Sequence, residues 1–177
     1  MNSYFLVEAE KKDYTKPVLL SWSKKISYKE AYQKEYERLG RRCLFFVEHR
    51  RETEYPDMLF QPFEMVSEIV KDIMEAYEPY VEFKEIILLD HTTKKIKTYY
   101  IPILKKIDCI GPDSKFNLDH SIIKEPFIYG EKARDYACFR IQDTPLQPMV
   151  MRGDMMELLE RREIKGFHKR QIELEEQ

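Results

Sequence analysis

Six residues able to carry positive charge fall within ten positions near the end of this sequence: Arg161, Arg162, Lys165, His168, Lys169 and Arg170. It is the densest basic stretch of the chain. Cations suit the negative end of a helix dipole, which accounts for Arg161 and Arg162 at the close of a helix. Lys169 and Arg170 fall beyond that helix and are not so explained, which leaves the stretch a candidate partner-facing patch beside the reading as solvated surface charge. The residues that could do covalent chemistry are not arranged for it. Nucleophilic catalysis needs a nucleophile beside a base that a third group orients. Asp119-His120-Ser121 has the three residue types, but neighbours on a strand point to opposite faces. There is no G-x-S-x-G elbow. Metal binding needs clustered ligands, and neither C-x-x-C nor H-x-x-x-H spacing occurs. Asp108-Cys109 and Asp119-His120 could converge in space, but any chain of this size offers such pairs. No catalytic residue, metal or cofactor is expected.

Two stretches supply the framework. In Phe63–Asp90, Ile69, Val70, Ile73, Met74 and Tyr77 follow helical spacing and predict one buried face. Ser67 stands at the N-cap position, and Pro79 ends the helix. A strand follows from Val81 to Leu89. Its last four residues, Ile86-Ile87-Leu88-Leu89, are apolar without a break, which predicts a central strand covered on both faces. In Met149–Leu174, Asp154-Met155-Met156-Glu157 reads as a capping box. Met155, Leu158 and Leu159 form the buried stripe, and Gly166 supplies a left-handed residue to leave the helix. Phe167 then opens a strand near a sheet edge. Phe167 corresponds to Phe83, and Leu158-Leu159 to Ile73-Met74, a weak two-fold echo.

Elsewhere, Tyr4–Val7 predicts a first strand, Lys11–Lys16 a charged loop, and Trp22 a core anchor. The capping box Ser27-Tyr28-Lys29-Glu30 and Gly40 predict a surface helix over 28–39. Cys43–Val47 is a strand whose flanking Arg41, Arg42, His49, Arg50 and Arg51 read as solvated strand ends. Asp57–Gln61 is a short strand. Residues 81–104 form a hairpin in which Pro102 marks an edge or a bulge. Ser121–Tyr129 holds two short strands. Tyr136–Ile141 is a strand with Tyr136, Cys138 and Arg140 on one face and Ala137, Phe139 and Ile141 on the other. The fold class is α+β: a mostly antiparallel sheet with about three helices and two similar strand-helix-strand units in one domain, 1–177.

Composition excludes several classes. Apolar residues are 43% and aromatic residues 13% of the 177, too many for a disordered chain. Thirty basic residues face 32 acidic ones, without the basic excess of a nucleic-acid binder. Cys43, Cys109 and Cys138 are odd in number, far apart and flanked by apolar residues, as reduced buried cysteines are. No secretory signal and no membrane span is evident. A cytoplasmic location is expected.

Met65-Val66-Ser67 before a helix, Val81-Glu82-Phe83 opening a strand that ends Leu88-Leu89-Asp90, Tyr99-Tyr100, Asp108-Cys109, and Leu158-Leu159-Glu160-Arg161-Arg162 followed by Gly166 are motifs of a structural kind. In them the chain resembles a bacterial domain family of formerly unknown function, grouped with the immunity proteins of polymorphic toxin systems. The resemblance covers about residues 57–174 and leaves residues 1–56 without a counterpart. Met151-Arg152 stands where the family often has Val-Ser. The family has no accepted catalytic residues. The resemblance implies a small protein that binds and neutralises a cognate toxin. The alternative is an enzyme or small-ligand binder with a site between helices and sheet, which two or more of His91, Asp108, Asp119 and His120 would line.

Overall fold

The computed structural model describes residues 2–11 and 15–175. Strand β1 (Tyr4–Ala9) comes first, and a 3₁₀ turn at Trp22–Lys24 and helix α1 (Tyr28–Tyr32) lead to β2 (Arg42–Val47). Next come β3 (Met58–Leu59), β4 (Met65–Val66), α2 (Glu68–Tyr77), β5 (Glu82–Asp90) and β6 (Ile96–Ile103). The middle of the chain holds β7 (Lys106–Ile107), β8 (Lys115–Phe116), β9 (Ile123–Glu125), β10 (Phe127–Tyr129) and α3 (Gly130–Ala133). It ends in β11 (Cys138–Ile141), β12 (Met149–Arg152), α4 (Gly153–Arg161) and β13 (Phe167–Glu175). One sheet has the order β2-β5-β6-β4-β3, a second β10-β13-β1-β12-β11-β7, and β8 and β9 form a ribbon.

The fold is α+β in the broad sense, and among the described residues most strand pairings are antiparallel, but the sheets are mixed rather than purely antiparallel. β2 pairs with β5 in parallel, as do β10 with β13 and β7 with β11. Parallel neighbours need a long crossover, and the β3-β4-α2 segment provides one between β2 and β5. The described residues hold four α-helices rather than about three, two of them of five residues or fewer.

The two-fold echo is present in the topology. β4 and β5 are both antiparallel to β6, which lies between them. β12 and β13 are both antiparallel to β1, which lies between them. Each helix therefore carries the chain over one intervening strand. The two helices touch. Val70, Ile73 and Met74 of α2 join Met155, Met156 and Leu159 of α4 in one apolar cluster with Met58, Val66, Val7 and Met149. The six-stranded sheet is thus covered by the helices on one face. On the other, Leu6, Phe139, Ile141 and Ile172 pack against Cys109, Ile123 and Ala133.

Several local expectations change. The helix expected over 28–39 stops at Tyr32, although its Ser27–Glu30 capping box is formed. Lys34 has φ +57°, a left-handed conformation that ends the helix, and the following turns bury Tyr36 and Leu39. Ser67 sits at the N-cap of α2 but makes no capping bond there; its hydroxyl donates to Asp57 Oδ1 at 3.0 Å. Asp57 Oδ2 accepts from Lys165 N at 3.0 Å, so one carboxylate ties the start of the first unit to the turn of the second. The Asp154 capping box is replaced: α4 begins at Gly153, whose N–H donates to Ser3 O, and Asp154 takes both Nε and Nη2 of Arg152 at 2.8 and 2.9 Å. Ile69 is exposed, and Met156 takes its place in the apolar cluster from the second helix. Gly166 does adopt a left-handed φ of +100°, but the chain leaves α4 earlier, at Glu163 (φ +54°). A side chain at 166 would run into the Met58 carbonyl. β13 has β1 along most of one side and only its last three residues beside β10 on the other, so its first half is an edge. Of the charged loop expected at Lys11–Lys16, residues 12–14 lie outside the described residues.

Candidate functional site

The cationic stretch does not assemble into one surface. Arg161 pairs with Glu157 at 2.5 Å, both side chains largely in solvent. Lys169 pairs with Glu160 at 2.6 Å and lies over the Phe5 ring. Arg170 points to the opposite face of β13, where its guanidinium meets Glu8 at 2.8 Å and donates to the carbonyls of Ile123 and Lys124. Arg162, Lys165 and His168 are exposed. Three of the six cations are therefore engaged within the chain, and exposed ion pairs of this kind contribute little.

The residues that could have lined a catalytic cleft lie apart. Asp119 accepts from the Ser121 hydroxyl at 2.6 Å and from its N–H, a local turn that leaves His120 stacked on Phe116. The Ser121 hydroxyl thus donates to the carboxylate, not to a histidine. His91 is on the other sheet, edge-on to Phe46. Asp108 is exposed. Among the described residues no group of three His, Cys, Asp or Glu side chains could hold a metal. A groove of about 670 Å³ beside α2 is lined by Lys71, Phe83 and Tyr100 and by none of the four candidates. Burial pushes the Cys109 thiol up to about 12 and raises that of Cys138 further, so neither is a ready nucleophile.

The five-stranded sheet has one face that is left partly bare. Its inner face is filled by Phe45, Ile86, Leu88, Tyr99 and Ile101. The outer side chains line up across the ladders in rows. Phe46, Leu89 and Ile96 form one row, Leu44, Ile87 and Thr98 the next, and Arg42, Glu85 and Tyr100 the third. Leu20 extends the first row, because its N–H donates to Phe46 O at 2.8 Å where Leu19 bridges Val47. Helix α2 covers the sheet only from the third row onward; its Lys71 lies over the rings of Phe83 and Tyr100 at 5.5 and 5.4 Å. The first two rows stand open: Leu20 is 46% exposed, Leu44 37%, Phe46 45% and Ile96 60%. Ile87 and Leu89 between them are half-buried. The expectation that Ile86–Leu89 is covered on both faces is therefore corrected. β5 is central, but Ile86 and Leu88 are buried while Ile87 and Leu89 meet solvent.

Because β2 and β5 run parallel, the segments that follow them leave from the same end of this sheet. His49 Nδ1 lies 2.8 Å from Asp90 Oδ2, and Asp90 Oδ1 accepts from the N–H groups of Thr92 and Thr93. These bonds, that of His49 first, hold the Asp90 carboxyl well below the usual carboxylate range. They fix His49 beside the turn that begins at His91, next to the first apolar row.

A buried charged cluster forms the other unusual feature. Arg140 is 1% exposed. Its Nη1 lies 2.5 Å from Glu64 Oε2 and donates to Gln147 O at 3.1 Å. Glu64 Oε1 is 3.6 Å from Lys34 Nζ. Burial pushes the Lys34 pKa down, against the pull of Glu64. Among the described residues, Arg140 Nη2, the Tyr36 hydroxyl and Gln147 Oε1 are buried without a hydrogen-bond partner. One carboxylate is shared by cations from two distant segments, which clamps β11 to the turns that follow α1. Sequence reasoning placed Arg140 on the correct strand face but missed Lys34 and Glu64. A lone arginine inside an apolar strand was the available signal.

No protein-family model matches the chain, and no curated protein matches it. Among the described residues no helix is long and apolar enough to cross a membrane.

Proposed function

We propose that this is a non-catalytic binding protein of the immunity type, acting in the cytoplasm by direct contact with a cognate toxin. The observation that carries the reading is the bare face of the five-stranded sheet, with Leu20, Leu44, Phe46 and Ile96 open across neighbouring strands. Contiguous exposed apolar side chains on a folded protein mark interaction sites, because leaving them in water forgoes the free energy of burial. The mixture of an aromatic, aliphatics and flanking arginines suits a protein interface. The resemblance in residues 57–174 supplies the kind of partner. The test is to co-express the chain with the toxin candidate encoded by the adjacent gene. The expected result is a complex of fixed stoichiometry on gel filtration and restored growth of cells making the candidate. A candidate that is toxic, yet neither binds nor is neutralised, overturns the reading.

A further inference from the structure

We infer that the partner of the bare sheet face is a protein surface with an apolar centre and carboxylates along one border, the border that meets Arg51 and Lys94. The inference rests on the proposed binding function and specifies its interface.

The charges at the two ends of the apolar rows differ. At the Arg42 end, Arg42 Nε is 2.5 Å from Glu85 Oε2, and Arg41 and Lys84 share the groove beside α2 with Glu75 and Glu82, so that border is mixed in sign. At the other end, Arg50 is taken by Glu48 at 2.6 Å and Asp90 by His49 at 2.8 Å. Lys95 lies over the Tyr55 ring at 4.6 Å and is in no ion pair among the described residues. Arg51 and Lys94 are exposed and have no ion-pair partner among the described residues. The apolar floor is therefore edged on one side by a cationic crest. A matching surface needs apolar groups over Phe46, Leu89 and Ile96 and negative charge over the crest.

Other occupants fit less well. Nucleic acid needs a track of cations along its backbone, and the floor offers four open apolar side chains instead. A second copy would set the crest either against itself or against Arg41 and the Arg42–Glu85 pair, whose carboxylate is already taken.

The experiment titrates the chain with the purified adjacent-gene toxin candidate by calorimetry, at low salt and at high salt. The variants are Phe46→Glu on the floor, Arg51→Glu with Lys94→Glu on the crest, and Arg161→Glu with Arg162→Glu as a remote control. Circular dichroism checks that each is folded. Phe46→Glu is expected to weaken binding at least about 100-fold, as truncating an interface anchor does. The crest variant is expected to lose about tenfold and most of the salt dependence, with the control within about twofold. Tight binding that Phe46→Glu leaves unchanged overturns this interface while the binding function stands. Binding weakened by Phe46→Glu but indifferent to the crest variant overturns the acidic border. No binding, with a dimer in light scattering that Phe46→Glu dissociates, puts a second copy on the face and overturns the inference. No binding by a monomer overturns the toxin reading and this interface together.

Discussion

Strands β5 and β11 invert what their sequences suggest. Ile86-Ile87-Leu88-Leu89 is wholly aliphatic, yet every second residue meets solvent. Cys138-Phe139-Arg140-Ile141 contains an arginine, yet all four residues are buried. β11 lies between two strands, has the helices on one face and the 107–133 region on the other, and finds Glu64 for its charge. β5 also lies between two strands, but α2 is only ten residues long and leaves the far end of the outer face uncovered. Burial is decided by what crosses above a strand, and a ladder neighbour on each side does not supply it.

Breaking the buried ion cluster is the severest test of this contrast. Arg140→Met strands Glu64 and leaves Lys34 as its sole partner, and should cost about 3–5 kcal/mol in urea unfolding. A loss below about 1 kcal/mol would mean that β11 does not depend on its charge. Next is the pair on β5 itself: Ile86→Ala should cost about 2–5 kcal/mol and Ile87→Ala under about 1 kcal/mol, because only the first leaves a cavity. Equal losses would show that both faces are packed in solution. Acid titration probes the end of the bare face. The Asp90 carboxyl titrates lower in the folded chain than in the unfolded one, so its contribution is complete above about pH 4 and fades as pH falls below that. Asp90→Asn should flatten the melting temperature against pH in that range, and an unchanged slope would disconnect His49–Asp90 from stability. Phe46→Glu should shift unfolding by no more than about 0.5–1 kcal/mol, consistent with a side chain that folding leaves in water. Smallest is Arg161→Ala, under about 0.5 kcal/mol, since its pair with Glu157 is exposed.

Local periodicity made the two strand-helix-strand units legible. Val70, Ile73, Met74, Met155 and Leu159 are buried as their spacing requires, and the 81–104 hairpin keeps one register from Glu82↔Ile103 to Leu89↔Ile96. Pro102 lies where β6 has lost β4, whose pairing reaches only Tyr100, as a residue without an N–H demands. What spacing could not show was which segment covers which. The parallel pairing of β2 with β5 depends on a crossover, not on either strand. The end of α1 is set by Lys34 turning towards Glu64, thirty positions away. The bare face was hidden for the same reason, since an uncovered aliphatic run and a doubly covered one have the same letters. The cationic stretch is divided because sequence neighbours at 169 and 170 point to opposite sides of a strand.

Strand β1 is flanked by Met149–Arg152 on one side and by residues 167–172 on the other. During translation, Tyr4–Ala9 leaves the ribosome well before either neighbour exists. At about 5–20 residues per second, the wait is on the order of ten seconds. Throughout that interval both edges of an apolar strand are unpaired and open to chaperones or to strands of other nascent chains. The six-stranded half of the molecule is therefore assembled only once residues 149–172 have been made, by segments that must find a strand synthesised long before them.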